Sequence, residues 1–134
     1  MTTPPQEPSL AILKWAALAF CVVTLLITVV FFGWWAMKDR LVFGDDRFDP
    51  VRWMAPPDKQ ESPCQRGDMV LDIRHRLLRA GMSRAEVTTL LGRPAWEEPD
   101  QIEYDLGVCL WVVHGLRLYF DRQDGLVHTA IIQH

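Results

Sequence analysis

Three cysteines, four histidines and one serine in a helix-start pattern are the residues of this chain whose types invite chemistry, and their spacing limits what that chemistry can be. Cys64 and Cys109 lie outside the long apolar run and form no C-x-x-C, which excludes a thioredoxin-like redox pair and a zinc ribbon. A bond between them closes a long loop and is worth roughly 3 to 4 kcal/mol through the restricted denatured chain, and it persists only in an oxidising compartment. The alternative is two separate reduced thiols, with Cys109 a small core residue. His75, His114, His128 and His134 show no H-x-x-x-H or comparable spacing that would bring them to a metal with Asp105 or Asp121. Ser83 stands three residues before Glu86, which accounts for it as a helix cap rather than a nucleophile. With no G-x-S-x-G, P-loop or G-x-G-x-x-G, the expectation is no catalytic, cofactor-binding or metal-binding residue and no enzyme.

The residues left over as candidates for recognition are aromatic. Trp96 follows a helix and precedes Glu97 and Glu98, and reads equally as an anchor for a partner or as a lid on the core; interface hot spots favour Trp and Tyr. Trp111 lies in an apolar run, where core is the favoured reading, and Tyr104 in an alternating strand completes the set.

The element that must position all of this is a membrane segment. From Trp15 to Met37 the chain carries no charged side chain, and as a helix those 23 residues reach about 34 Å, enough for a hydrocarbon core of about 30 Å. Trp15 at one end, Trp34 and Trp35 at the other, and flanking Lys14 and Lys38 match aromatic belts with snorkelling cations. Residues 1–14 then form a short tail and 15–37 a single transmembrane helix. The run continues into FFGWW without an A-x-A-like site, so cleavage as a signal peptide is not expected. Cys21 follows Phe20 instead of the small residue an acylation site requires, and reads as an inert membrane residue.

Residues 38–67, with Pro50, Pro56, Pro57 and Pro63, read as a partly extended linker holding the domain off the bilayer. Leu41, Val42, Phe43, Trp53 and Met54 are apolar exceptions that either rest on the membrane interface or pack on the domain. Within 68–134, Asp68 is read as the N-cap of a first helix presenting Val70, Ile73, Leu77 and Ala80 and ending at Gly81. Ser83 and Glu86 form a capping box, with Met82 and Val87 as its hydrophobic staple; Gly92 and Pro94 close a second helix from about Arg84 to Leu91. After an acidic loop around Glu97 to Asp100, period-two runs predict strands at Ile102 to Leu106, ending at Gly107, then Val108 to Val113, Leu116 to Phe120 and Leu126 to Ile132. The fold class expected is α+β, two short helices on an antiparallel three- to four-stranded sheet. A net charge of −3 with no basic face excludes a nucleic-acid partner.

The stretch GMSRAEVTTLLGRPAWEEPDQIEYDLG, continued by LRLYFDRQDGLV, resembles the SmpA/OmlA (BamE-like) family of small bacterial envelope domains over about residues 71–132. The resemblance rests on Gly81, Met82 and Ser83, on Val87, on Leu91, Gly92, Arg93 and Pro94, on Tyr104, and on Phe120, Asp121 and Gly125. It implies a domain outside the cytoplasm that contacts other envelope proteins, with an architecture shared with the β-lactamase inhibitor protein. The best-known members are outer-membrane lipoproteins; this chain has a long apolar run instead. Flanking Lys38, Arg40, Arg47 and Arg52 favour a cytoplasmic domain by the charge rule, while the cysteines and the resemblance favour the periplasmic side, which is the reading adopted. The expected function is a bacterial inner-membrane, single-pass protein whose domain binds an envelope partner. Two alternatives are an inhibitor or immunity-type module for one enzyme or toxin, and a small subunit of a membrane complex.

Overall fold

Charge and proline punctuate the chain so that an apolar helix is followed by a separately packed α+β unit, the division falling after Lys38. The computed structural model describes residues 9–134. Helix α1 runs Leu10–Val42 over 33 residues, with no buried side chain. It is long and apolar enough to cross a membrane, and a secretory signal helix shares that composition. Its two polar interior residues are satisfied within the helix: the hydroxyl of Thr24 donates to the carbonyl of Phe20 at 2.9 Å and that of Thr28 to Thr24 at 2.8 Å. No side-chain donor of these two is left to apolar surroundings.

In the second unit, the segment expected as a linker is folded into the domain. Asp49 caps α2 (Pro50–Met54) by accepting from the amides of Val51 and Arg52, and Pro50 sits at the helix start, where its missing N–H costs nothing. This five-residue helix is too short to show a period, so its Asp-Pro start signal reads as linker chemistry. It delivers Trp53, fully buried, to the core, where the indole N–H donates to the carbonyl of Leu91 at 2.8 Å. Phe43 is buried as well. A short 3₁₀ turn, Pro57–Lys59, leads on to α3.

Helix α3 spans Gln65–Asp72 with Cys64, not Asp68, at its N-cap, and a π-helical turn at Ile73–Leu77 ends it before Gly81. The unwinding moves Ala80 off the buried face, while Met69, Val70 and Ile73 are fully buried. Asp72 organises this corner, accepting from the amide of Phe48 at 2.9 Å and from Arg76 at 2.7 and 2.6 Å. The Arg76 guanidinium first, then the Phe48 amide, hold its carboxyl well below the usual carboxylate range, at about 2. A depressed folded value contributes stability that is present above the unfolded value near 4 and lost as pH falls toward 2. Because Arg76 is half exposed and screened, Asp72→Asn is expected to cost about 1 to 2 kcal/mol at pH 7 and nearly nothing at pH 2. Urea midpoints of both proteins at the two pH values check this.

Helix α4 is Arg84–Leu91 with the Ser83/Glu86 capping box formed, Val87 and Leu91 buried, and Gly92 at φ 80°. The sheet is antiparallel in the order β1 (Trp96–Glu98), β2 (Gln101–Cys109), β3 (Val112–Phe120), β4 (Leu126–Gln133). Three expectations are corrected here. Trp96–Glu98 is a strand paired with β2, not part of a loop. Gly107 does not end β2: at φ 88° it makes a bulge whose missing Cβ would lie 2.1 Å from the Pro63 carbonyl oxygen. Gly115 lies inside β3, not in a break. Ile102, Tyr104 and Leu106 of β2, with Leu116, Leu118 and Phe120 of β3, are buried in one cluster with the helices.

Candidate functional site

Strand periodicity puts Gln101, Glu103 and Asp105 of β2 on the opposite sheet face from the core residues. Cross-strand partners on that face follow from the register: Trp96 opposite Glu103, Glu103 opposite Arg117, Arg117 opposite Ala130, and beside this row Gln101 opposite Tyr119 opposite His128. Glu103 is buried although it lies on this outer face. One carboxylate oxygen accepts from the Arg117 guanidinium at 3.1 and 2.9 Å, and the other is 2.6 Å from His134 Nε2. A Cβ at Gly115 would come within 2.4 Å of that second oxygen, so the glycine makes the floor on which the carboxylate lies.

Arg117 also stacks on the Trp96 ring, 5.5 Å from its centroid, and Glu103 first, then Tyr119, hold its guanidinium still more firmly charged. Tyr119 and His128 stack at 5.7 Å. The face therefore presents Trp96, Arg117, Tyr119 and His128 in two adjacent rows, oriented by an ion pair already satisfied beneath them. Tryptophan, tyrosine and arginine held in fixed rotamers are the composition of an interface hot spot.

The three aromatic candidates separate. Trp96 belongs to this face, 40 % exposed. Tyr104 does not: it points to the core, its hydroxyl donates to the Gly92 carbonyl at 2.9 Å, and burial, then Glu97, push its pKa up. Trp111 is not core either; it is 95 % exposed at the tip of the β2–β3 hairpin. Cys64 and Cys109 are bonded to each other.

The remaining motif residues have structural partners. The Gly81 amide donates to the Leu126 carbonyl, the Leu126 amide to the Met82 carbonyl, and Ser83 bridges Gly125, so the turn before α4 is knitted to β4. The Asp121 carboxylate accepts from the amides of Gln123 and Gly125 and shapes the β3–β4 turn. Glu86 accepts from Ser83, while Val87 and Phe120 are core and Pro94 follows the helix end. His114 is buried against Phe43 at 5.1 Å between ring centroids, whereas His75 lies in the π-helical turn.

Sequence reasoning missed Glu103, Arg117 and Arg84. Arg84 ties three places together, donating to Glu97 at 3.1 Å, to the carbonyls of Glu98 and Pro99, and to Asp124 at 3.3 Å. Only its neighbourhood to the capping box marked it. Comparison of the chain with protein-family models, curated proteins and solved structures finds no match in any of the three.

Proposed function

We propose that this chain is a membrane-anchored bacterial envelope protein in which α1 spans the inner membrane and the α+β unit, on the periplasmic side and BamE-like in fold, is a non-enzymatic protein-binding module. The observation that carries the binding role is the outer sheet face, where Trp96, Arg117, Tyr119 and His128 are preorganised over the Glu103 ion pairs. The Cys64–Cys109 bond supports placement in an oxidising compartment, and the uncharged stretch Trp15 to Met37 within α1, with its satisfied hydroxyls, supports the anchor.

A photo-crosslinking amino acid placed at His128 is expected to trap an envelope protein in living cells, whereas the same group at Thr89, exposed on α4, is expected to trap none. Against the purified adduct partner, Trp96→Ala is expected to cost about 2 kcal/mol of binding, roughly thirtyfold in Kd. Adducts from Thr89 alone, or only from positions in α1, would move the interface off the sheet.

A further inference from the structure

The β2–β3 hairpin ends in a way that its local chemistry does not favour. Leu110 (φ 47°) and Trp111 (φ 71°) occupy the two left-handed positions of a tight turn, a conformation suited to Asn-Gly and strained for bulky side chains. They are also exposed, with Val108 and Val113 beside them at 44 % and 43 %. Between Asp105 and Arg117 there is no charged side chain apart from the titratable His114, which is buried against Phe43. Strained, bulky, apolar residues kept at a tip indicate that the tip is used.

The residue just before the turn shows what lies beside the tip. Cys109 is buried and bonded to Cys64, and a Cβ on Gly67 would lie 2.4 Å from Cys109 Sγ and 3.3 Å from Phe43 Cδ1. Phe43 therefore packs near the turn end of the hairpin, and it is the first buried residue of the domain, with only Asp39 to Val42 between it and Lys38. The first buried residue of the domain thus lies at the turn end of the hairpin. A protein interface has a polar rim and directional bonds, which this tip lacks; a lipid boundary needs neither, and Trp is the residue of that boundary.

We propose that Val108, Leu110, Trp111 and Val113 dock in the headgroup and upper acyl region of the bilayer that α1 spans. The tip gives the domain a second, uncharged point of membrane contact besides the helix. This inference rests on the anchor reading and goes beyond it.

The test uses the full chain in phosphatidylcholine vesicles, with Trp15→Phe, Trp34→Phe and Trp35→Phe removing emission from α1. The difference between this protein and the same protein with Trp111→Phe isolates the emission of Trp111. That component is expected to be quenched by phosphatidylcholine brominated near the glycerol end of the acyl chain, less by lipid brominated near the methyl end, and to be shielded from iodide. Because the tip is uncharged, adding anionic lipid is expected to leave the quenching unchanged. Unreactive Cys64 and Cys109 under alkylation verify that each variant is folded. If the chain floats with the vesicles but Trp111 is quenched by iodide and not by brominated lipid, the docking is overturned and a protein pocket becomes the better occupant. If the chain does not float with the vesicles, the anchor reading itself fails, and the docking with it.

Discussion

A chain beginning at Arg66 is expected not to fold, whereas one beginning at Asp39 is expected to be soluble and cooperative. The shorter chain loses Trp53, whose truncation to Ala alone should cost about 3 to 5 kcal/mol because the indole is fully buried and its N–H is bonded to Leu91. It also loses Phe43 from the core and Cys64 from the disulfide. Domains of this size hold about 5 to 15 kcal/mol in all, so these losses together are as large as what is available. Near-ultraviolet circular dichroism and the sharpness of the thermal transition distinguish the two chains. A cooperative transition from the Arg66 chain would mean that residues 39–65 merely lie against an already stable domain. Trp53→Ala in the Asp39 chain separates the core contribution from the disulfide.

That boundary was hidden for a physical reason. The capping box at Ser83 and Glu86 and the stop at Gly92 and Pro94 are local signals, and α4 forms over the residues they delimit. The alternation of Ile102, Tyr104 and Leu106 likewise marks the buried face of β2. Trp53 answers to Leu91, 38 residues away, from a helix of one turn, and no local period announces such a contact. Glu103 falls on the polar side of the alternation, and only the pairing with Arg117 and the approach of His134 bury it. The hairpin turn at Leu110 and Trp111 was illegible because it carries none of the residues that favour positive φ. What could not be read is what depends on register and on distant partners, and the candidate face consists of little else.

Loss of the Cys64–Cys109 bond is expected to have the second large effect. The bond closes a sequence separation of 45 residues, for which chain entropy gives about 4 kcal/mol at 25 °C. Gly67 has no room for a Cβ beside it, so the surrounding backbone has been fitted to the bonded sulfurs, and Cys64→Ser with Cys109→Ser leaves two small polar groups where that contact was. The double variant should unfold at lower denaturant with a steeper urea slope, because the uncrosslinked denatured chain is less compact, and a measured loss below about 1 kcal/mol would show the bond to be incidental. The same bond decides orientation. If the domain is periplasmic, alkylation of the protein trapped directly from growing cells should label Cys21 alone, because Cys64 and Cys109 are already oxidised. Labelling of all three cysteines in cells, followed by oxidation only after lysis, would place the domain in the reducing cytoplasm, as the charges at Lys38, Arg40, Arg47 and Arg52 favour. The sheet face would then have to be assigned a cytoplasmic partner, while the lipid contact of the hairpin, which depends on neither charge nor compartment, would stand on the other side of the same bilayer.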